Sequence, residues 1–408
     1  MLLATILRRL VGRGTLDIAV GAGPLRRFGS GEEPWVAVRV ADRRTLWSLV
    51  LDPELRFGEA YTDGRLTIER GDIHALCDLA LRNWPRGKPW GWTPWARLRS
   101  HWSCWRQRNS ASQARRNVAH HYDLDGRLYE LFLDSDRHYS CGYFRDPEET
   151  LEAAQRNKLE LIAAKLAIDR PGRVLDIGSG WGGLALHLAR ATGSEVLGIT
   201  LSAEQHAAAS QRALQTGLAD RVRFELKDYR AVEGRFDRIV SVGMFEHVGV
   251  PQYRAFFDAA ARLLSDDGVM LLHSIGRTTR PSVNNPWMER YIFPGGYVPA
   301  LSEVMAAIEP SGLMVADIEV LRLHYAETLR HWRARFLANR AKAQALYDER
   351  FVRMWEFYLA GCEAAFRHAG LVVFQIQLTK RADAVPLTRD YLLRVDEHDR
   401  GDERVRAA

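Results

Sequence analysis

The sequence predicts an α/β protein: a doubly wound, Rossmann-like, mostly parallel sheet preceded by a smaller α+β domain. Three observations predict it. From about residue 117 onward, short β-branched runs alternate with helical patterns roughly ten or more residues long. The first of these runs ends in a glycine-rich turn, Asp176-Ile-Gly178-Ser-Gly180-Trp-Gly182-Gly183. The chain has 408 residues, 47% apolar and 26% charged, which suits a globular protein of two or three domains and excludes a disordered, collagenous or multi-spanning one.

The elements follow in order. Residues 1–80 read as the small α+β domain, with strand-like runs at 35–40 and 45–51. Residues 1–9 read as a short amphipathic helix, because their charges follow the apolar run, whereas a secretory signal carries them first. Residues 81–116 are a Pro/Gly-rich linker. Residues 117–393 form the sheet domain, with strands at 173–177, 195–200, 222–226, 236–242 and 268–275. Helices are expected at 202–216 and 252–264, and two later runs, 313–323 and 371–380, are expected to add edge strands, one of them antiparallel. The charged tail, 394–408, is expected to fray.

Charge is concentrated in the linker. The net charge is +6, which calls for an anionic partner. Nine basic residues and no acidic ones fall between Leu81 and Arg116, and six of the twelve tryptophans lie there too. Taking those nine from the 57 basic residues leaves fewer than the 51 acidic ones, so the rest of the chain is slightly acidic. The four cysteines (Cys77, Cys104, Cys141 and Cys362) form no C-x-x-C pair. That argues against a disulfide framework or a zinc site, so no metal is expected, and it suits a reducing cytosol. No run of about 18 uncharged apolar residues is present, so no membrane span is expected.

The glycine turn satisfies G-x-G-x-x-G through Gly178, Gly180 and Gly183. Such turns let a ligand approach the backbone at a helix N-terminus. Two details argue against a dinucleotide. The second strand ends Gly198-Ile-Thr200 and lacks the acid that would hold a ribose hydroxyl. Asp176 precedes the first glycine by two residues, a poor neighbour for a pyrophosphate but a good one for the ammonium and sulfonium of S-adenosylmethionine. The loop therefore reads as the cradle of that cofactor, in a class I S-adenosylmethionine-dependent methyltransferase sheet, with Gly178, Ser179, Gly180 and Gly182 at its backbone. Thr200, Leu201 and Gln205 follow the second strand. Ser202 and Gln205 form an S-x-x-Q capping box, and Thr200 and Gln205 can also stand in for the missing acid. Asp228 and Tyr229 end the third strand, where methyltransferases commonly contact adenine.

Further motifs accompany the loop. His121-Tyr-Asp-Leu124, Tyr129-Glu-Leu-Phe-Leu-Asp134, His138-Tyr-Ser-Cys141-Gly-Tyr-Phe144 and Thr150-Leu-Glu-Ala-Ala-Gln155-Arg-Asn-Lys158 precede it. Ser241-Val-Gly-Met-Phe-Glu246-His247-Val-Gly249, Trp287-Met-Glu-Arg-Tyr-Ile-Phe-Pro-Gly-Gly296 and Phe374-Gln-Ile-Gln-Leu follow it. In this order and spacing they resemble the cyclopropane-fatty-acyl-phospholipid synthases and the related mycolic acid cyclopropane synthases, over about residues 50–390. Asp52-Pro-Glu-Leu-Arg-Phe-Gly-Glu-Ala-Tyr-Thr-Asp-Gly64 looks like the extra N-terminal domain of the bacterial phospholipid enzymes. One departure is Asp125-Gly126-Arg127, where the family pattern has Gly-Asn.

The resemblance implies methyl transfer from S-adenosylmethionine to a cis alkene in an acyl chain, then proton loss to bound bicarbonate. It implies Tyr139 and Ser140 at the cofactor and Cys141, Glu246, His273, the backbone at Ile275 and Tyr325 as bicarbonate ligands. Tyr143, Phe144, Trp287, Tyr291 and Phe293 are candidates to line the cation's cavity, and each equally suits core packing. His247 suits a cofactor-lining or a structural role. Cys362 fits a family C-terminal pattern; a covalent role has been conceived for such a cysteine, but alkene methylation needs no covalent step, so a structural role is favoured. The expected partners are unsaturated phospholipid acyl chains and an anionic membrane surface, reached by the Trp/Arg segment at the inner face of the membrane. Nucleic acid is not expected, since Met244-Phe-Glu-His lacks an N-P-P-Y-like motif. A homodimer is left open. The nearest rival is a fatty-acid methyltransferase giving a methyl-branched or methylene chain; a non-catalytic lipid binder is a weaker one.

Overall fold

A computed structural model describes residues 11–84 and 126–392. The amphipathic helix expected at 1–9, the Trp/Arg segment beyond Trp84, the His121-Tyr-Asp-Leu124 motif and the tail lie outside the described residues.

The first unit holds β1 (Thr15–Val20), β2 (Arg26–Gly29), β3 (Trp35–Val40), α1 (Arg43–Leu51), α2 (Pro53–Thr62), β4 (Leu66–Arg70) and α3 (Ile73–Arg82). Its sheet has the order β2-β1-β3-β4, with β1 and β3 parallel and the outer pairs antiparallel. The strand expected at 45–51 is instead helix α1. Asp42 caps it, its carboxylate accepting from the Thr45 backbone N–H at 2.7 Å. A side-chain cap outweighs the weak strand propensity of a run with only two β-branched residues, Thr45 and Val50.

After α4 (Gly126–Glu130) and α5 (Leu151–Lys165) the large sheet begins. In chain order its elements are β5 (Arg173–Ile177), α6 (Gly183–Thr192), β6 (Glu195–Thr200), α7 (Ala203–Gln215), β7 (Val222–Leu226), β8 (Phe236–Val242), α8 (Tyr253–Leu263) and β9 (Leu264–Arg277). Then come α9 (Pro286–Tyr291), α10 (Leu301–Ile308), β10 (Met314–Leu321), α11 (His324–Ala338), α12 (Arg340–Leu346), α13 (Glu349–His368) and β11 (Leu371–Thr379). The strand order is β10-β11-β9-β8-β5-β6-β7. Strands β5 to β9 are mutually parallel, and β11 runs antiparallel to both β9 and β10.

The expectation of two edge strands holds for β10 alone. β11 is an interior strand, and its apolar run is buried along nearly its whole length. A strand covered on both faces reads as a continuous apolar run rather than an alternating one.

The two units share a core. Ala360 and Ala364 of α13 pack into the cluster built from Val36, Leu66, Leu76 and Leu79 of the small unit. Polar ties border that contact: His74 lies 3.1 Å from Glu363, His368 lies 2.6 Å from Asp78, and the Tyr61 hydroxyl donates to Glu356 at 3.0 Å.

Candidate functional site

Two chambers meet at the C-terminal edge of the large sheet, where open α/β sheets bind ligands. The first is walled by the glycine turn and the ends of β5, β6 and β7. It is lined by Asp176, Gly178, Ser179, Gly180, Thr200, Leu201, Gln205, Asp228 and Tyr229, together with Tyr139 and Ser140. Gly182 sits behind it as the N-cap of α6 at φ 84°. An added Cβ there would lie 2.7 Å from Phe224, so only glycine closes this turn. At Gly178, φ is 87° and a Cβ would meet Met244 at 2.8 Å. Packed neighbours thus leave no room for a Cβ at either position; Gly178 lines the chamber, whereas Gly182, expected at the cofactor, does not and shapes the turn from behind.

The chamber's polar groups fit a cationic ligand. Asp176 is buried, and its Oδ2 has no hydrogen-bond partner. Burial pushes its carboxyl up to about 7, against the pull of Lys158. Ser202 caps α7, accepting from the Gln205 backbone N–H at 3.2 Å. The Gln205 side chain does not return to close the capping box. Its carbonyl oxygen accepts from the Thr200 hydroxyl at 2.9 Å, leaving the amide nitrogen as its donor. The Asp228 carboxylate is gripped by Arg230, at 2.8 Å from Nε and 2.7 Å from Nη2.

The second chamber is larger and more apolar, a cavity of about 1330 Å³. That exceeds the ~300–1,000 Å³ of an ordinary small-molecule site. It runs from the sheet edge past α9 and α13 to the small unit, where Phe57, Leu76, Leu79 and Leu81 line it. Cys141, Glu246, His273, Ile275, Tyr325 and Cys362 all line it. The two chambers share Tyr139, Ser140, Gly243 and His247, so a group held in one faces contents of the other across that junction.

The geometry at the junction is specific. His273 is fully enclosed on β9, and the side-chain amide of Gln375, opposite it on β11, donates to His273 Nδ1 at 3.1 Å. That bond places the ring proton on Nε2. Burial drives the His273 imidazole down to about 3, so it is a neutral donor at physiological pH. Glu246 Oε1 accepts from the Ile275 backbone N–H at 2.6 Å, and its buried Oε2 has no partner. Burial raises this carboxyl to about 7. The Cys141 thiol is pushed up by burial and donates to the Gly142 carbonyl at 3.3 Å. Cys362 is likewise raised by burial, to about 12, so it is a neutral thiol and a poor nucleophile.

The structure sorts the candidates further. The Ile275 N–H donates to Glu246 and so orients that carboxylate. Of the five aromatic candidates, Trp287 and Phe293 line the large cavity, whereas Tyr143, Phe144 and Tyr291 do not. Tyr143 stacks on His324, Phe144 stacks on His331, and the Tyr291 hydroxyl donates to Glu59 at 2.9 Å. Sequence reasoning quoted Lys158 and Gln375 within motifs but gave neither a role, and it passed over Tyr358. Tyr358 lines the cavity, and its hydroxyl lies 2.7 Å from that of Tyr139. The signal for Gln375 was present: two glutamines, Gln375 and Gln377, interrupt an otherwise apolar strand.

Comparison with known proteins gives a consistent pattern. The family model described as mycolic acid cyclopropane synthetase matches residues 109–376. A probable fatty acid methyltransferase of Pseudomonas putida is 36% identical over 385 residues, 90% of this chain and 94% of that one. The cyclopropane-fatty-acyl-phospholipid synthase of Escherichia coli K12 is 41% identical over 260 residues, 64% of this chain and 66% of that one. Among solved structures, mycolic acid cyclopropane synthase CmaA1 complexed with SAH and CTAB is 35% identical, with a TM-score of 0.62 over 65% of this chain and 97% of that one.

Proposed function

We propose, because the chain belongs to the mycolic acid cyclopropane synthetase family, that it methylates the cis double bond of an unsaturated acyl chain in a membrane phospholipid and then closes a cyclopropane ring. Membership carries S-adenosylmethionine-dependent methylation of unsaturated lipid acyl chains, cyclopropanation included. The phospholipid, the base and the membrane contact are inferred beyond it. The observation that carries the reading is the junction itself: a cradle for a nucleoside-bearing cation opens onto a long apolar cavity beside Glu246 and His273.

S-Adenosylmethionine, when bound, supplies an electrophilic methyl group. Asp176, Gly178, Ser179, Gly180, Thr200, Gln205, Asp228 and Tyr229 would hold it, with Tyr139 and Ser140 at the junction. An alkene is a weak nucleophile, so the site must favour the developing carbocation. Buried Glu246 and the faces of Trp287 and Phe293 would supply negative charge and π density in a largely apolar cavity. Bicarbonate, when bound, supplies a base for the departing proton. The donor set suits it: His273 Nε2–H and Tyr325 would donate to the anion, and Cys141 would do so by turning its thiol from the Gly142 carbonyl. The unpartnered Glu246 Oε2 would accept the anion's own hydroxyl.

The membrane contact rests on composition: cationic and indole-bearing residues crowd 81–116. Each Lys or Arg at an anionic leaflet contributes about 1 kcal/mol. No helix among the described residues is long and apolar enough to cross a membrane. Co-sedimentation should show binding to anionic liposomes that weakens with salt; equal, salt-independent binding to neutral ones would count against the contact.

Incubation with unsaturated phospholipid vesicles and labelled S-adenosylmethionine tests the whole reading. The expected product shows a cyclopropane CH2 by mass spectrometry and NMR. Glu246→Ala and His273→Ala should each lose it by about 100-fold or more, and full activity in both would remove the base site. A second reading, a fatty-acid methyltransferase giving a methyl-branched or methylene chain, is favoured by the similarity to the Pseudomonas putida relative over nearly its full length. A branched or exomethylene product in the same assay selects it.

A further inference from the structure

We propose that Lys158 is the receptor for the carboxylate of the cofactor's amino-acid group, facing Asp176, which takes its ammonium. The inference rests on the S-adenosylmethionine reading and extends it to a residue that the sequence motifs include without giving it a role. Lys158 projects from α5 and is 2% exposed, yet it lines the cofactor chamber. Its Nζ has one hydrogen-bond acceptor among the described residues, Ser140 Oγ at 3.1 Å. An ammonium carries three donors, so two remain. Asp176, on the end of β5, lines the same chamber with its unpartnered Oδ2.

No ion pair joins these two residues, although both are buried and one is an ammonium and the other a carboxyl. Two separated buried charges are costly unless something complementary lies between them. An α-amino-acid group is the complementary object, since it carries both signs on adjacent atoms. His138 adds a second acceptor. Its Nδ1–H donates to Asp134 at 2.7 Å, so Nε2 is a bare acceptor, and that atom is buried, without a partner, on the chamber wall. Ser140 Oγ, which accepts from Lys158, has its own proton to give to a carboxylate. Burial brings the Lys158 ammonium down to about 8, with Asp134 and Cys141 opposing, so it still holds its proton at neutral pH.

The rival is a purely structural role. Lys158 and Gln155 both grip Ser140, the latter by an amide donating to the Ser140 carbonyl at 3.0 Å, and this could simply fix the turn at the junction. A ligand pair separates the two roles. S-Adenosylhomocysteine carries the amino-acid group; 5′-methylthioadenosine keeps the nucleoside and the thioether but lacks it. Isothermal titration of the full chain at pH 7 should show Lys158→Met binding S-adenosylhomocysteine about tenfold or more weaker, with 5′-methylthioadenosine changed less than about twofold. Lys158→Arg should keep most of the affinity for S-adenosylhomocysteine. Equal losses for both ligands in Lys158→Met, or no loss for either, overturn the proposal.

Should Lys158→Met fail to fold, the wild type decides the matter. It should bind the decarboxylated analogue of S-adenosylhomocysteine about tenfold more weakly than the parent at pH 7, and the gap should narrow above pH 8. A wild type that prefers the decarboxylated analogue, or a gap unmoved by pH, refutes the assignment. A wild type that binds none of these ligands refutes the cofactor reading instead.

Discussion

Glu246 concentrates the proposed chemistry at the scale of a single residue. Its carboxyl is raised by burial to about 7 from an ordinary 4.5. A raised folded-state value means that folding favours the protonated form. The penalty is absent below pH 4.5, grows as the pH rises and is complete above about 7. Glu246→Gln, uncharged at every pH, should therefore be more stable than wild type at pH 8, by on the order of 2–3 kcal/mol, and nearly equal to it at pH 4.5. Thermal melts at the two pH values check this, and a parallel loss of methylated product would show stability traded for function. Gln375 offers a second test. It fixes the ring proton of His273 on the nitrogen away from it. Gln375→Leu should reduce turnover about 10–100-fold with cofactor affinity unchanged, in line with losses of an orienting partner elsewhere.

Among the elements, the glycine turn between β5 and α6 is the most constrained. Gly182→Ala adds a Cβ 2.7 Å from Phe224 and 3.0 Å from the Ala209 side chain at a positive φ, which should cost about 2 kcal/mol of stability. Chemical denaturation measures that cost, and weakened S-adenosylhomocysteine binding should accompany it. This turn was legible in the sequence because the glycines follow a β-branched strand and Asp176 precedes them, although glycine turns alone are common. The parallel strands were equally legible from their β-branched runs. Two elements were not. Helix α1 hid behind a run whose fate is decided by one capping carboxylate, Asp42. The interior place of β11 depends on pairing with β9, a partner about a hundred residues earlier, which no local pattern encodes. At the site, the motifs stood out, while the roles of two residues within them, Gln375 and Lys158, come only from what the fold brings against them.

Over the whole molecule, the small unit and the catalytic unit are joined through α13. Glu363 there is 1% exposed; burial would raise its carboxyl, but His74 and Arg333 outweigh that and bring it down to about 2. A depressed value means stability that is present above about pH 4.5 and lost as the pH falls through 2. Glu363→Gln should cost about 3–5 kcal/mol at pH 7, because it leaves Arg333 and Arg367 short of a buried counter-charge, and the deficit should shrink toward pH 2. Differential scanning calorimetry reads both. The interior position of β11 bears on how the chain is made. Synthesis proceeds from the N-terminus, so β9 emerges with one edge bare and stays so until residues 371–379 arrive, about a hundred residues later. For that interval the nascent sheet presents an apolar, unpaired edge, the kind that recruits foreign strands. His273 likewise waits for Gln375, so a chain stalled before residue 371 would carry its glycine cradle complete, the His273 ring without its partner and an apolar strand edge uncovered.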